Sequence, residues 1–417
     1  MSGIKSRMRL PEIKKMGRKA IFLWAVCMLM LLSGCWDLRY LDKLGVVLAM
    51  GVDDDPSGKQ KLRLTVQVVL PQNVAAESKG GTGGTPVTTF TETGDTIFEA
   101  IRKMSAKTSR RLFFSHTQML IIGEKMARKG GIIPLVDLIE RNPDIRTDIS
   151  VVVTRGVRAE RLLQMTTQME SIPVNQFHEM IDVNQEAYAM NYAVLVKDLT
   201  KLTGKGKQQA VLPSFRIVGD KAAGKSVDNV KTIPAEAIPA LSTMAVFRDG
   251  KLVDYLKPKE SRGLAWLQNK VKSTVIKLAC PESKGNLIVE VHEASIQYKI
   301  KQSKDGMPVV QAKLEVTGSI QEIMCPGIDV MDEQVLNEIE ELTSQAVKKE
   351  AEETIRKMQK KWRVDALGWG KEVYLQQPEV WKRIEKDWET VFPEVQHEVV
   401  CKTKISGSGV RGESIVK

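Results

Sequence analysis

The first pattern along the chain is an uninterrupted apolar run, Ala20 to Leu32, behind a basic segment carrying Lys5, Arg7, Arg9, Lys14, Lys15, Arg18 and Lys19. A membrane-spanning helix needs roughly 20 apolar residues, whereas the apolar region of an export signal needs about 7 to 15, so the pattern predicts a signal peptide. Leu32-Ser33-Gly34-Cys35 then forms a lipobox-like sequence. Small residues suit a tight peptidase cleft, and a cysteine thiolate is the nucleophile that takes up a diacylglycerol. Cleavage after Gly34 and lipidation of Cys35 are expected, with residues 1–34 removed. The competing reading is an uncleaved anchor helix beside an incidental cysteine.

Beyond the anchor, strand and helix patterns interleave. Leu44 to Val52 is continuously apolar, Asp53-Asp54-Asp55-Pro56-Ser57-Gly58 is turn chemistry, and Leu62, Leu64, Val66, Val68 and Leu70 alternate with more polar neighbours. This predicts a β-hairpin. Residues 71–86 read as a loop, and Thr96-x-x-Glu99 opens a helix carrying Ile97, Ala100, Ile101 and Met104. A strand at 118–122, helical segments at 124–128 and 135–139, and a strand at 149–154 complete an alternation that argues for α/β layers.

A Gly/Lys-rich, Pro-containing connector (221–240) separates a second unit. Arg248-Asp249-Gly250-Lys251 between two apolar runs is a hairpin signal, and strands are expected at 274–279, 287–293 and 309–316. A helix from about Met331 to Trp362 carries Leu336, Ile339, Thr343, Val347, Ala351, Ile355, Met358 and Trp362 at spacings of three or four, a stripe that reads as core packing. Pro378 to Phe392 reads as a short helix with Trp381, Ile384 and Trp388 on one face. The expected fold class is α+β with mixed layers: signal peptide 1–34, N-terminal region 35–220, connector 221–240, and a C-terminal domain 241–417 with a long helix and a terminal strand.

Charge changes this picture little. Seven of the 62 Lys and Arg and one of the 51 Asp and Glu precede Cys35, leaving 55 against 50. An excess of five lacks the dense basic stripe that nucleic acid requires, so no nucleic-acid partner is expected. Cys280, Cys325 and Cys401 remain after export, too few for a disulfide framework. Free, buried thiols are the expected state, with a Cys280–Cys325 bridge as the alternative in an oxidising compartment.

Catalytic patterns are scarce. His116, His178, His292 and His397 show no metal-ligand spacing, so neither metal nor cofactor is expected. Gly219-x-x-x-x-Gly224-Lys225-Ser226 satisfies the P-loop pattern formally, but the following residues have no helical period and include Pro234 and Pro239, so the helix terminus that would hold phosphates is missing.

Identity is carried by blocks at both ends. Gly34-Cys35-Trp36-Asp37, Arg110-Arg111-Leu112-Phe113-Phe114-Ser115-His116 and Ile122-Gly123-Glu124 resemble the N-terminal part of the Ger(x)C family, the lipoprotein C subunits of spore germination nutrient receptors. Asp365-Ala366-Leu367-Gly368-Trp369-Gly370, Pro378-x-x-Trp381-Lys382 and Trp388-Glu389-x-x-Phe392-Pro393 resemble its C-terminal signature, in the same order. Tyr40 stands where the family often has an acidic residue. The resemblance implies a non-enzymatic receptor subunit on the outer leaflet of the spore inner membrane. It also implies polytopic A and B subunits as partners and an α+β ectodomain for which no direct nutrient ligand is expected. The motif residues Trp36, Asp37, Ser115, His116, Gly123, Glu124, Gly368, Trp369, Gly370, Pro378, Trp381, Trp388 and Pro393 are expected to define the fold first and contact partners second. Two rivals are a solute-binding lipoprotein of an ABC importer, which needs an inter-domain cleft with convergent polar groups, and a wall hydrolase, which needs paired carboxylates.

Overall fold

The computed structural model describes residues 22–24, 43–77, 84–199, 208–281 and 284–407. The chain forms two compact units, Met1–Leu44 and Gly45–Lys417. The signal cleavage site, Cys35, Trp36 and Asp37 lie outside the described residues. No helix among the described residues is long and apolar enough to cross a membrane.

The expected hairpin forms from β1 (Leu44–Asp53) and β2 (Leu62–Val69), which pair antiparallel. Asp55 organises the connection by accepting N–H groups of Ser57 and Gln60 at 3.1 and 3.0 Å. Residues 71–77, expected to be loop, instead form helix α1 (Pro71–Glu77), with Pro71 at the first position, where its missing N–H costs nothing. β3 (Val87–Gly94) extends the sheet beyond β2. Thr96 caps α2 (Ile97–Met104) by accepting the Glu99 N–H at 3.1 Å, while Glu99 reaches back to the N–H of Asp95 at 2.8 Å.

The short β4 (Arg111–Phe113) pairs with β1, and β5 (Met119–Ile122) lies on the side of β1 away from β2. Helices α3 (Glu124–Lys129) and α4 (Ile133–Arg141) lead to β6 (Ser150–Thr154). Then α5 (Ala159–Leu163) and α6 (Pro173–Ala187) precede the two-residue β7 (Val211–Leu212) and β8 (Ser214–Gly219). β5, β6 and β8 run parallel to β1. β5 and β6 are buried at every residue, which is why these strands read as unbroken apolar runs. Within the segment expected to be a connector, β9 (Ala237–Leu241) pairs antiparallel with β8 and closes the eight-stranded sheet. Pro239 is accommodated because β9 lies at the sheet's edge.

The Asp-Gly hairpin joins β10 (Ala245–Arg248) and β11 (Lys251–Tyr255), and β7 completes that small sheet. After α7 (Pro258–Leu267) comes a four-stranded sheet in the order β12 (Thr274–Ala279), β13 (Asn286–Gln302), β14 (Pro308–Ile323) and β15 (Gln396–Ile405). β13 and β14 run beyond the expected spans, pairing antiparallel from Leu287↔Ile323 to Gln302↔Pro308 with register shifts between Ile288 and Val289 and between Val291 and Glu293. This register corrects the expectation of free thiols. β12 and β14 both pair with β13, so Cys280 and Cys325, each just past a strand end, meet with their Cα atoms 5.7 Å apart and are disulfide-bonded.

The long helix α8 (Glu333–Arg356) continues as a π-helical segment, Lys357–Trp362. Ile339, Thr343, Val347, Ala351, Ile355, Met358 and Trp362 are all buried, as the stripe predicts. α8 also protects the outer edge of β15, since Ser344 Oγ and Glu340 Oε1 accept the N–H groups of Thr403 and Ile405 at 3.0 and 2.8 Å. α7 is tied to α8 by the buried Arg262–Glu350 pair, and Trp266 Nε1 donates to the same carboxylate at 3.2 Å. The result is an α+β fold in which one face of the large sheet shares a continuous core with the C-terminal half, while Leu48, Phe177 and Phe215 lie in a second core.

Candidate functional site

Gly123 and Glu124 of the N-terminal motif lie at a buried carboxylate. Asp53, at the end of β1, is 1% exposed and accepts the N–H groups of Ala159 and Glu160, the first residues of α5, both at 2.9 Å. Burial pushes its carboxyl up, opposed by these two donors and by Arg158. Gly123 stands where any Cβ would lie 2.0 Å from Asp53 Oδ1. Glu124 closes the same corner, its Oε2 accepting the Gly156 N–H at 2.8 Å and its Oε1 facing Arg128 at 2.9 Å. The Gly-Glu pair therefore clamps the turn between β6 and α5. Ser115 Oγ donates to the Asp144 carbonyl at 3.0 Å. His116 is exposed and sets its ring edge-on to Phe113 at 5.7 Å, away from the Asp53 corner.

The C-terminal motif uses a similar device. Asp365 Oδ1 accepts the N–H groups of Gly368 and Trp369 at 2.9 and 3.1 Å, and Oδ2 accepts the Gly370 N–H at 2.7 Å and Trp388 Nε1–H at 3.0 Å. Three donors open helix α9 (Trp369–Gln376); the fourth comes from the start of α11 (Trp388–Val391), beyond α10 (Pro378–Ile384). Burial raises the Asp365 carboxyl while the four donors pull it back. Gly368 has φ +85°, the left-handed region that disfavours a side chain, whereas Gly370 is helical. Trp381 and Trp388 pack edge to face with centroids 5.3 Å apart, and Phe392 contacts both Trp369 and Trp388. Pro378 occupies the first position of α10, and Pro393 is buried in the turn before β15.

These carboxylates are structural organisers that the sequence reading did not single out. A signal existed: Asp53 ends an apolar run and Asp365 heads a Gly-Trp-Gly block. Among the described residues no group of three or more His, Cys, Asp or Glu side chains could hold a metal ion. The formal P-loop lacks its helix, because a 3-10 turn over Val227–Val230 follows Ser226. A cavity of about 360 Å³ lies between Tyr192, Gln268 and Lys270 on one side and Leu367, Gly368 and Lys371 on the other. Its walls are pinned together: Tyr192 Oη donates to Gln268, whose amide donates to the Ala366 carbonyl. That linkage opposes the hinged closure of a two-lobed solute binder.

Residues 37–217 match the family described as "Spore germination protein N-terminal domain", and residues 242–409 match "Spore germination B3/ GerAC like, C-terminal". The chain is 31% identical to Spore germination protein KC of Bacillus subtilis (strain 168), over 94% of this chain and 97% of that protein. It is 20% identical to Spore germination protein B3 of the same organism, over 93% of this chain and 97% of the relative. The fold is similar to that in "Crystal Structure of the GerBC protein", with a TM-score of 0.53, 16% identity, and coverage of 89% of this chain and all of the other.

Proposed function

Because the chain belongs to the Ger(x)C family of spore germination proteins, we propose that it is the lipid-anchored, non-enzymatic C subunit of a nutrient germinant receptor. In this reading Cys35 carries a diacylglycerol thioether and an N-acyl chain, and the ectodomain stands on the outer leaflet of the spore inner membrane beside polytopic A and B subunits. The supporting observation is what the signature residues do. Asp365 of the C-terminal block, and Asp53 beside the Gly123-Glu124 block, are occupied by backbone and indole N–H groups within the fold, which supports reading these blocks as scaffold.

The two acyl chains of the diacylglycerol already give durable anchoring, and confinement beside the membrane subunits raises the effective concentration of a weak contact. Cys35→Ala is expected to abolish acylation, seen by mass spectrometry of the N-terminal peptide, and to weaken the nutrient response of spores. A full response from spores that demonstrably lack acylated protein would overturn the requirement for the anchor. Calorimetry of the ectodomain with a nutrient panel tests the importer reading, and micromolar binding would favour it.

A further inference from the structure

Residues 102–111 hold Arg102, Lys103, Lys107, Arg110 and Arg111 and no acidic residue. Five cations in ten residues equal the entire positive excess of the chain after Gly34. The stretch runs from the last turn of α2 into β4, and its position is fixed by Gly45: a Cβ there would lie 3.7 Å from Arg110 Cβ and 3.5 Å from Leu112 Cδ2. The basic stretch therefore sits where β1 begins, ten residues after Cys35. Ten residues reach at most about 35 Å when fully extended.

Within this corner Lys103 and Lys107 face Glu99 and Glu92 at 2.6 and 2.7 Å. Arg102 lies over the ring of Phe98, which is 46% exposed, and Arg111 is exposed. Arg110 lines a cavity of about 190 Å³ with Gly45 and the hydroxyl-bearing Thr88, Thr108 and Ser109. A guanidinium beside several hydroxyls on an apolar base suits a phosphate oxygen next to hydrocarbon.

We propose that this corner docks on anionic phospholipid headgroups and so sets which end of the ectodomain faces the bilayer. The inference rests on Cys35 being the lipid anchor, because the ten residues from Cys35 to Gly45 limit how far the corner can lie from the bilayer. Each basic residue near an anionic surface strengthens attachment about fivefold, an effect confined to a Debye length of about 8 Å at physiological salt.

The test uses the fragment Trp36–Lys417, whose two cores consist of residues from Val46 onward and need no anchor. Co-sedimentation with vesicles of phosphatidylcholine alone, and of phosphatidylcholine mixed with phosphatidylglycerol, is expected to show salt-sensitive binding only to the mixture. Arg110→Gln with Arg111→Gln should weaken that binding about 25-fold, and the corresponding Lys pair should retain most of it. Arg102→Gln with Arg111→Gln, both at exposed positions, provides the same test should the first pair disturb folding. Equal binding to both vesicles, folded variants within about twofold of wild type, or displacement by inorganic phosphate at constant ionic strength would each overturn the proposal. An unmodified Cys35 in the native protein would leave the vesicle result standing and count only against the anchor.

Discussion

Asp365→Asn isolates the C-terminal organiser with almost no change of shape. The amide keeps one oxygen, which still serves two of the four N–H donors, but turns an NH₂ group toward the other two. Whichever way it rotates, either Gly368 and Trp369 or Gly370 and Trp388 face a donor in place of an acceptor. A buried donor left unsatisfied costs about 1–3 kcal/mol, so two cost roughly 2–6 kcal/mol. Relief of the carboxylate's burial works in the opposite direction. Its pKa is raised in the folded state, so the stability it contributes is complete below the unfolded value near 3.9 and is lost as pH rises through the folded value. The variant lacks that titration, and its deficit should be larger near pH 4 than near pH 7. Urea unfolding followed by tryptophan fluorescence at both pH values measures this. An unshifted midpoint at both would refute the assignment of Asp365 as the group holding α9 and α11 together.

The same cluster predicts an ordering among tryptophans. Trp381→Ala should cost about 3–5 kcal/mol and lower steady-state abundance, whereas Trp381→Phe should be milder than Trp388→Phe, because the buried Trp381 Nε1 has no hydrogen-bond partner while Trp388 Nε1 serves Asp365; equal midpoints for the two Phe variants would contradict this. Thiol titration of the unfolded, unreduced fragment Trp36–Lys417 should find one thiol, Cys401, and three after reduction. Loss of the Cys280–Cys325 bridge should cost about 4 kcal/mol in the chain-entropy picture for a separation of 45 residues. In the folded protein burial pushes the Cys401 thiol up to about 11, so labelling at pH 8 should be on the order of a hundredfold slower than for a free thiol.

What the sequence made legible was local periodicity. The β1–β2 hairpin, the capping residue Thr96, the Asp-Gly turn and the stripe of α8 are all written in residues a few positions apart. β9 was hidden because an edge strand containing Pro239 has the composition of a connector. The continuation of β13 past Glu293 is written in the alternation of Ala294, Ile296, Tyr298 and Ile300, whereas the end of β14, residues 317–323, has no such alternation. The disulfide depends on register: only when β12 and β14 flank β13 do Cys280 and Cys325 share an end. Cys35 remains a sequence-level assignment, since it lies outside the described residues.

The candidate sites were legible as words but not as chemistry. Gly123 and Gly368 stood out in their blocks, yet the partner that explains Gly123 is Asp53, 70 residues earlier, and Asp53 in turn is held by N–H groups 106 and 107 residues later. The two signature regions solve one problem in the same way. A carboxylate taken out of water is stabilised by N–H groups of a helix's first turn, with glycine where a side chain would strike the carboxylate or strain the backbone. Such corners tolerate few substitutions and say nothing about partners. At 16% identity to GerBC the fold is still similar. Contacts that distinguish one receptor from another should then be sought at exposed positions outside the blocks, such as Met169 and Leu375, and not among the buried tryptophans that identify the family.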